Sequence, residues 1–334
     1  MAEVVLGLAA SHGPPVTMPA SQWHMLREKD ERDKRMDYQA LLAAAPPGIA
    51  NECTDERMQA RYDAAQRALG KLREVLREAR PDVLVVVGDD QNEQFGLDQM
   101  PTFCVYRGSA MEIKKREGGG GASKMPGSGQ WGNMAWQAAS RAGESEAPRV
   151  YPAAPDLAEH MIRSLMDQEF DVSVSGEIRP DVGLGHAFTF VYRTIMPEGD
   201  IPLIPVNVNT GYPPNQPGPK RCYAFGRALR QAVDSWDPGK RVAIMASGGL
   251  SHVIIDEDLD HMVIDALMED DAEQLCSLPI DRLNRASGTM EIRTWVAVGA
   301  AMDGLSMTLE SYEPCYRSPA GTGVGMGFAY WQHN

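Results

Sequence analysis

The sequence predicts an α/β fold with a mainly parallel central sheet flanked by helices. Residues 3–10, 82–87, 201–208 and 241–246 are apolar runs of strand length, without the alternation of a half-exposed strand. Stretches of helical periodicity lie between them, the pattern of strand-helix-strand units. Several of these runs also end in glycine, serine and histidine, which is how such a sheet presents reactive side chains at its carboxyl edge.

Residues 3–10 open the chain as a buried strand that stops at His12-Gly13-Pro14-Pro15. A charge-rich stretch from about 20 to 52 has weak periodicity and reads as a surface excursion. Residues 54–79 form an amphipathic helix, with Met58, Tyr62, Ala65, Leu69, Leu72 and Leu76 at helical spacing and Pro81 as its stop. The apolar run at 82–87 is a doubly covered strand ending in Gly88-Asp89-Asp90-Gln91-Asn92-Glu93. Residues 102–106 add a strand, and 107–150, with four glycines at 118–121, is a second excursion. A helix near 155–167 and a strand from Phe170 to Val174 follow. The strand at 201–208 leads through Tyr212-Pro213-Pro214-Asn215-Gln216-Pro217 to a helix at about 218–235. The strand at 241–246 delivers His252, and Asp256 caps a helix whose apolar face is Leu259, Met262, Val263, Ala266 and Leu267. The glycines from Gly321 to Gly327 follow Ser318-Pro319-Ala320 rather than a strand and read as a tight loop. The whole, 1–334, is expected to be a single catalytic domain carrying the two excursions.

A formal net charge of −14 over 334 residues argues against nucleic acid or an anionic membrane as partner. No apolar stretch is long enough to span a bilayer, and the amino terminus lacks the basic and apolar regions of a signal peptide. Five cysteines without CxxC spacing suggest reduced thiols in a cytoplasm.

Histidines at strand ends can bind a divalent metal or move protons near neutral pH. His12 is held by a stiff turn, His252 follows small residues that allow close approach, and His186 lies between glycine and a Phe-Thr-Phe-Val strand, where it would suit a general base. Each could instead be a hydrogen-bonded structural histidine. The oxygens of Asp89, Asp90, Gln91 and Glu93 suit a hard or borderline divalent ion, or simply a loop capped by backbone bonds. Glu257 and Asp258 begin a helix, where acidic residues are favoured anyway.

Ser11-His12-Gly13-Pro14, Gly88-Asp89-Asp90-Gln91, Gly185-His186-Ala187-Phe188 and Ser247-Gly248-Gly249-Leu250-Ser251-His252 together resemble the class III extradiol ring-cleavage dioxygenases, the LigB-type family. The closing Pro314-Cys315-Tyr316-Arg317-Ser318-Pro319 looks most like the 3-O-methylgallate dioxygenase branch. The resemblance implies a LigB-like fold and an iron(II) held by two histidines and a glutamate. It implies opening of a catechol-type ring of the protocatechuate, gallate or methylgallate kind with O2. Carried over by position, His12 is a metal ligand, His186 the acid/base residue and His252 a further catalytic residue. Glu257 is the carboxylate ligand, with Asp258 beside it. Gln91 stands where the family has its second histidine ligand, and Asp90 or Glu93 could substitute for it. Arg193, Arg317 or Lys220 could pair with a substrate carboxylate. A metal-dependent hydrolase or lyase on this fold, and a non-catalytic subunit, are the alternatives. A homo-oligomer is left open.

Overall fold

The computed structural model describes residues 1–113 and 149–333, apart from positions 35, 97, 238 and 287. Most of the excursion at 107–150 therefore lies outside the described residues. Eleven strands occur among them: β1 (Glu3–Ala10), β2 (Val83–Gly88), β3 (Phe103–Tyr106), β4 (Ala110–Ile113), β5 (Arg149–Pro152), β6 (Ser173–Ser175), β7 (Leu203–Val208), β8 (Arg241–Ser247), β9 (His252–Ile254), β10 (Ser306–Tyr316) and β11 (Thr322–Gln332). Nine of them make one sheet in the order β10-β11-β1-β8-β2-β7-β3-β6, with β9 added on β11, while β4 and β5 pair separately.

The expected parallel sheet is the centre of this assembly. β1, β8, β2 and β7 run parallel, so their carboxyl ends emerge along one edge. The margins are antiparallel: β11 on β1, β10 on β11, and β3 on β7. Alternate residues of the central strands enter two cores, Val83, Val85 and Val87 on one face and Leu84 and Val86 on the other. A strand covered on both faces needs apolar residues at every position, which is why these runs show no alternation.

Helix Asp55–Ala79 begins at Thr54, whose side chain accepts a hydrogen bond from Arg57 N, and ends at Arg80 in the left-handed region. Its buried stripe includes Met58, Ala65, Leu69, Leu72 and Leu76 and covers the second face. Helices Pro219–Asp234 and Ile292–Ala301 cover the first. The expected helices near 155–167 and after Asp256 are Pro155–Asp167 and Glu257–Met268.

Two expectations need correction. The glycine-rich tract at 321–327 is no loop, because residues 322–332 form the buried strand β11. Its glycines make room for what packs on it: a Cβ at Gly325 would stand 2.1 Å from Asp260 Oδ2, and one at Gly323 would stand 2.3 Å from the Cys315 carbonyl. Glycine normally weakens a strand, and here close approach of neighbours requires it. The stretch at 20–52 is not merely a surface excursion either. It contains helix Trp23–Arg32, whose Trp23, Leu26 and Asp30 are buried.

Asp30 anchors that helix by accepting two hydrogen bonds from Arg317, at 2.6 Å from Nε and 3.0 Å from Nη2. Both side chains are buried, so Arg317 is committed to this pair and is withdrawn as a partner for a substrate carboxylate. Burial raises the Asp30 carboxyl, but the Arg317 guanidinium outweighs it and holds the group below its ordinary value. Asp30→Ala should cost about 3–5 kcal/mol in urea denaturation, because it leaves a buried guanidinium without its main counter-charge. A loss below about 1 kcal/mol would show that the pair contributes little.

Candidate metal centre

The cluster at the carboxyl edge starts from hydroxyl bookkeeping at Ser247, the last residue of β8. Its Oγ donates its one hydrogen to the Ala187 carbonyl at 2.6 Å. The contact of 3.1 Å between His12 Nδ1 and the same Oγ must then be donated by the imidazole. Nδ1 of His12 is thereby fixed as a donor to Ser247, and Nε2 is turned into the cluster. That nitrogen is buried and has no hydrogen-bond partner among the described residues, and neither does Asp89 Oδ1.

Asp89 leaves β2 directly into this space, with Oδ1 3.9 Å from His12 Nε2 and 3.4 Å from His186 Nε2. Glu291 enters from the far side of the chain, with Oε2 3.3 Å from His12 Nε2 and 3.8 Å from His252 Nε2. The same oxygen accepts the Gly249 backbone N–H at 2.8 Å. Burial opposes ionisation of Glu291, but the imidazoles of His252, His12 and His186 outweigh it and hold the carboxyl far below its ordinary range. Donor atoms of His12, Asp89, His186 and Glu291 all lie within 4.8 Å of one another.

The strand expected after His186 is instead the helix His186–Phe190, which His186 begins, and the ring donates from Nδ1 to Glu93 Oε2 at 2.6 Å. The backbone N–H of His186 donates to the same carboxylate, at 2.9 Å to Oε2. Burial disfavours the imidazolium, yet Glu93 and Asp89 together raise the pKa well above its ordinary value. His252 opens β9 and donates from Nδ1 to the Leu250 carbonyl at 3.0 Å, so its Nε2 faces Glu291.

The residues fit a divalent cation. Two carboxylates this close in a buried place repel each other without a positive charge between them. The His12 imidazole with the carboxylates of Asp89 and Glu291 forms a donor set suited to a first-row ion such as iron(II), with the His186 ring beside it.

Of the expected ligands, the structure brings His12 into the cluster and places Gln91 beside it. The Gln91 amide donates from Nε2 to Glu291 Oε1 at 3.4 Å, so it braces a carboxylate. Glu257 lies elsewhere: its Oε1 accepts the Tyr316 hydroxyl at 2.6 Å. Asp258 stays in the first turn of the same helix. Neither substitute offered for Gln91 is available, since Asp90 accepts backbone N–H bonds from Glu93, Gln94 and Phe95, and Glu93 is engaged with His186. The carboxylate that reaches in from this tract is Asp89.

Glu291 was missed. As an acid just before the apolar helix Ile292–Ala301 it looks like a helix-start residue. The available signal was the helix itself, which after Arg293 and Thr294 is an unbroken apolar run and therefore buried, so the acid at its head is buried with it.

A Gln91→Ala variant should weaken iron affinity by roughly 10- to 100-fold, the usual scale for removing a group that supports a ligand. Unchanged affinity would show that the amide braces nothing.

The family model described as "Catalytic LigB subunit of aromatic ring-opening dioxygenase" matches residues 40–328. Gallate dioxygenase of Pseudomonas putida is 29% identical over 180 residues, which cover 50% of this chain and 50% of that protein. A 2,3-dihydroxyphenylpropionate/2,3-dihydroxicinnamic acid 1,2-dioxygenase of Rhodococcus globerulus is 28% identical over 189 residues, 57% of this chain and 49% of that one. The corresponding protein of Comamonas testosteroni is 26% identical over 190 residues, with the same coverage. The chain spans about half the length of the curated relatives it matches.

Proposed function

The chain belongs to the LigB family of catalytic subunits of aromatic ring-opening dioxygenases, and from that premise we propose that it is an iron(II)-dependent extradiol dioxygenase. Its substrate is a catechol-type aromatic of the protocatechuate, gallate or methylgallate kind, opened with dioxygen. The observation that carries this reading is the buried meeting of His12, Asp89, His186 and Glu291.

His12, Asp89 and Glu291 hold the ion. Iron(II) bound by them supplies the redox centre at which a diol and dioxygen react. The protein's own part is to fix donors and move protons. Ser247 fixes His12 Nδ1 as a donor, and Gly249 N–H and Gln91 steady the Glu291 carboxylate. His186, oriented by Glu93, would take a proton from a substrate hydroxyl at Nε2 once a cation neutralises Asp89, whose charge otherwise helps to keep the ring protonated. His252 stands on the other side of Glu291 as a further group facing the substrate space.

Among the described residues no helix is long and apolar enough to cross a membrane. We place the protein in the cytoplasm on its odd cysteine count and lack of CxxC spacing.

Dioxygen uptake by anaerobically purified, iron(II)-loaded protein given gallate, protocatechuate and 3-O-methylgallate tests the reading. Stoichiometric uptake with any of them is the expected result. Bound metal without uptake would turn the assignment to a hydrolase or lyase, and failure to bind metal would turn it to a non-catalytic subunit.

A further inference from the structure

Buried side-chain atoms without a hydrogen-bond partner among the described residues include Asn92 Oδ1, Asn207 Oδ1 and Tyr212 Oη, beside His12 Nε2 and Asp89 Oδ1. A cation accounts for the last two and leaves the first three unexplained. All five belong to one edge of the sheet. β7 runs parallel to β2 with Asn207 opposite Gly88, so the chain leaving β7 emerges beside the tract that carries Asp89 and Asn92.

Tyr212 is held there by design of its backbone. Its N–H donates to Asn209 Oδ1 at 2.8 Å, and its carbonyl accepts from Asn209 Nδ2 at 2.7 Å. Asn209 Nδ2 also donates to Asn215 Oδ1, and Asn209 itself is buried. Such a clamp fixes the backbone from which the phenol projects, yet its buried hydroxyl bonds to nothing described. Buried tyrosine hydroxyls normally find a partner, because leaving one unmade is costly. Burial, then the charges of Asp89, Asp90 and Glu93, push the phenol pKa upward, so the group keeps its proton and can act as a donor.

We propose that Tyr212 is a substrate-binding residue whose hydroxyl donates a hydrogen bond to an oxygen carried on the ring of the bound diol. The proposal rests on the dioxygenase reading above. A ring oxygen is the expected acceptor, since the diol oxygens are the groups that the reaction brings to this edge, beside the tract that carries Asp89.

Tyr212→Phe removes only the hydroxyl. Iron content should be unchanged, while anaerobic binding of gallate and of pyrogallol, which lacks the carboxylate, should weaken roughly 5- to 50-fold by the same factor. Binding equal to wild type for both probes would overturn the proposal, as would loss of iron from the variant. A penalty with gallate that vanishes with pyrogallol would assign the hydroxyl to the carboxylate and overturn the ring-oxygen assignment. Wild-type protein that carries iron and binds neither probe would bring down the dioxygenase reading itself, a result distinct from failure of the variant arm.

Discussion

Glu291→Gln should release the metal that wild-type protein keeps, and dioxygen uptake with it. Glutamine preserves the volume and an oxygen that accepts the Gly249 N–H at 2.8 Å, so the variant should fold. It removes the negative charge that faces His12 at 3.3 Å and His252 at 3.8 Å. A neutral amide is a much poorer donor to a divalent cation than a carboxylate. Affinity should therefore fall by more than the roughly 10- to 100-fold that follows loss of a group behind a ligand. The control is Glu257→Gln, which should keep its iron, because that carboxylate is engaged with Tyr316. His12→Ala should behave like Glu291→Gln. Iron measured by elemental analysis after anaerobic reconstitution decides the matter. Full occupancy in Glu291→Gln beside depletion in Glu257→Gln would return the ligand to the sequence-expected position.

The second large effect concerns proton transfer. His186→Ala should retain iron and lose roughly 10² to 10⁴ in turnover, the scale of a positioned acid/base group. Its geometry supports that division of labour. The ring is oriented by a 2.6 Å hydrogen bond to Glu93, while Nε2 stands 3.4 Å from Asp89 Oδ1 at the mouth of the cluster. His12, by contrast, is tied to Ser247 through Nδ1 and turns Nε2 into the cluster. Glu93→Gln should reproduce part of the His186 defect with iron retained, since glutamine's oxygen can still accept the Nδ1–H but without the charge that favours the imidazolium. A His186→Ala protein stripped of iron would make His186 a ligand, and one of normal turnover would remove it from the chemistry.

Local order left clear marks in the chain. The doubly covered strands β2, β7 and β8 are legible because burial on two faces demands an unbroken apolar run. Helix Asp55–Ala79 is legible because one-sided burial imposes a helical period. His12 could be picked out for the same local reason, since it follows β1, whereas His186 and His252 each begin an element, a helix and the short strand β9, that the pattern did not locate. Strand β11 was hidden by its glycines, whose meaning lies in Asp260 and Cys315 packed against them.

By itself, then, the sequence determined the parallel heart of the sheet, its flanking helices and the edge where chemistry gathers. Only the tertiary structure decided which carboxylates meet His12. Asp89, Asp90, Gln91 and Glu93 are adjacent in the chain and similar in chemistry. Asp90 caps backbone N–H groups of its own tract, while the tasks of Glu93 and Gln91 follow from what other segments bring, the His186 ring and the Glu291 carboxylate. Glu291 is 279 positions from His12 in the chain (291 − 12) and 3.3 Å away in space. Hydrogen-bond and Coulomb energies depend on distance in space, and periodicity along a chain carries no information about contacts of that range.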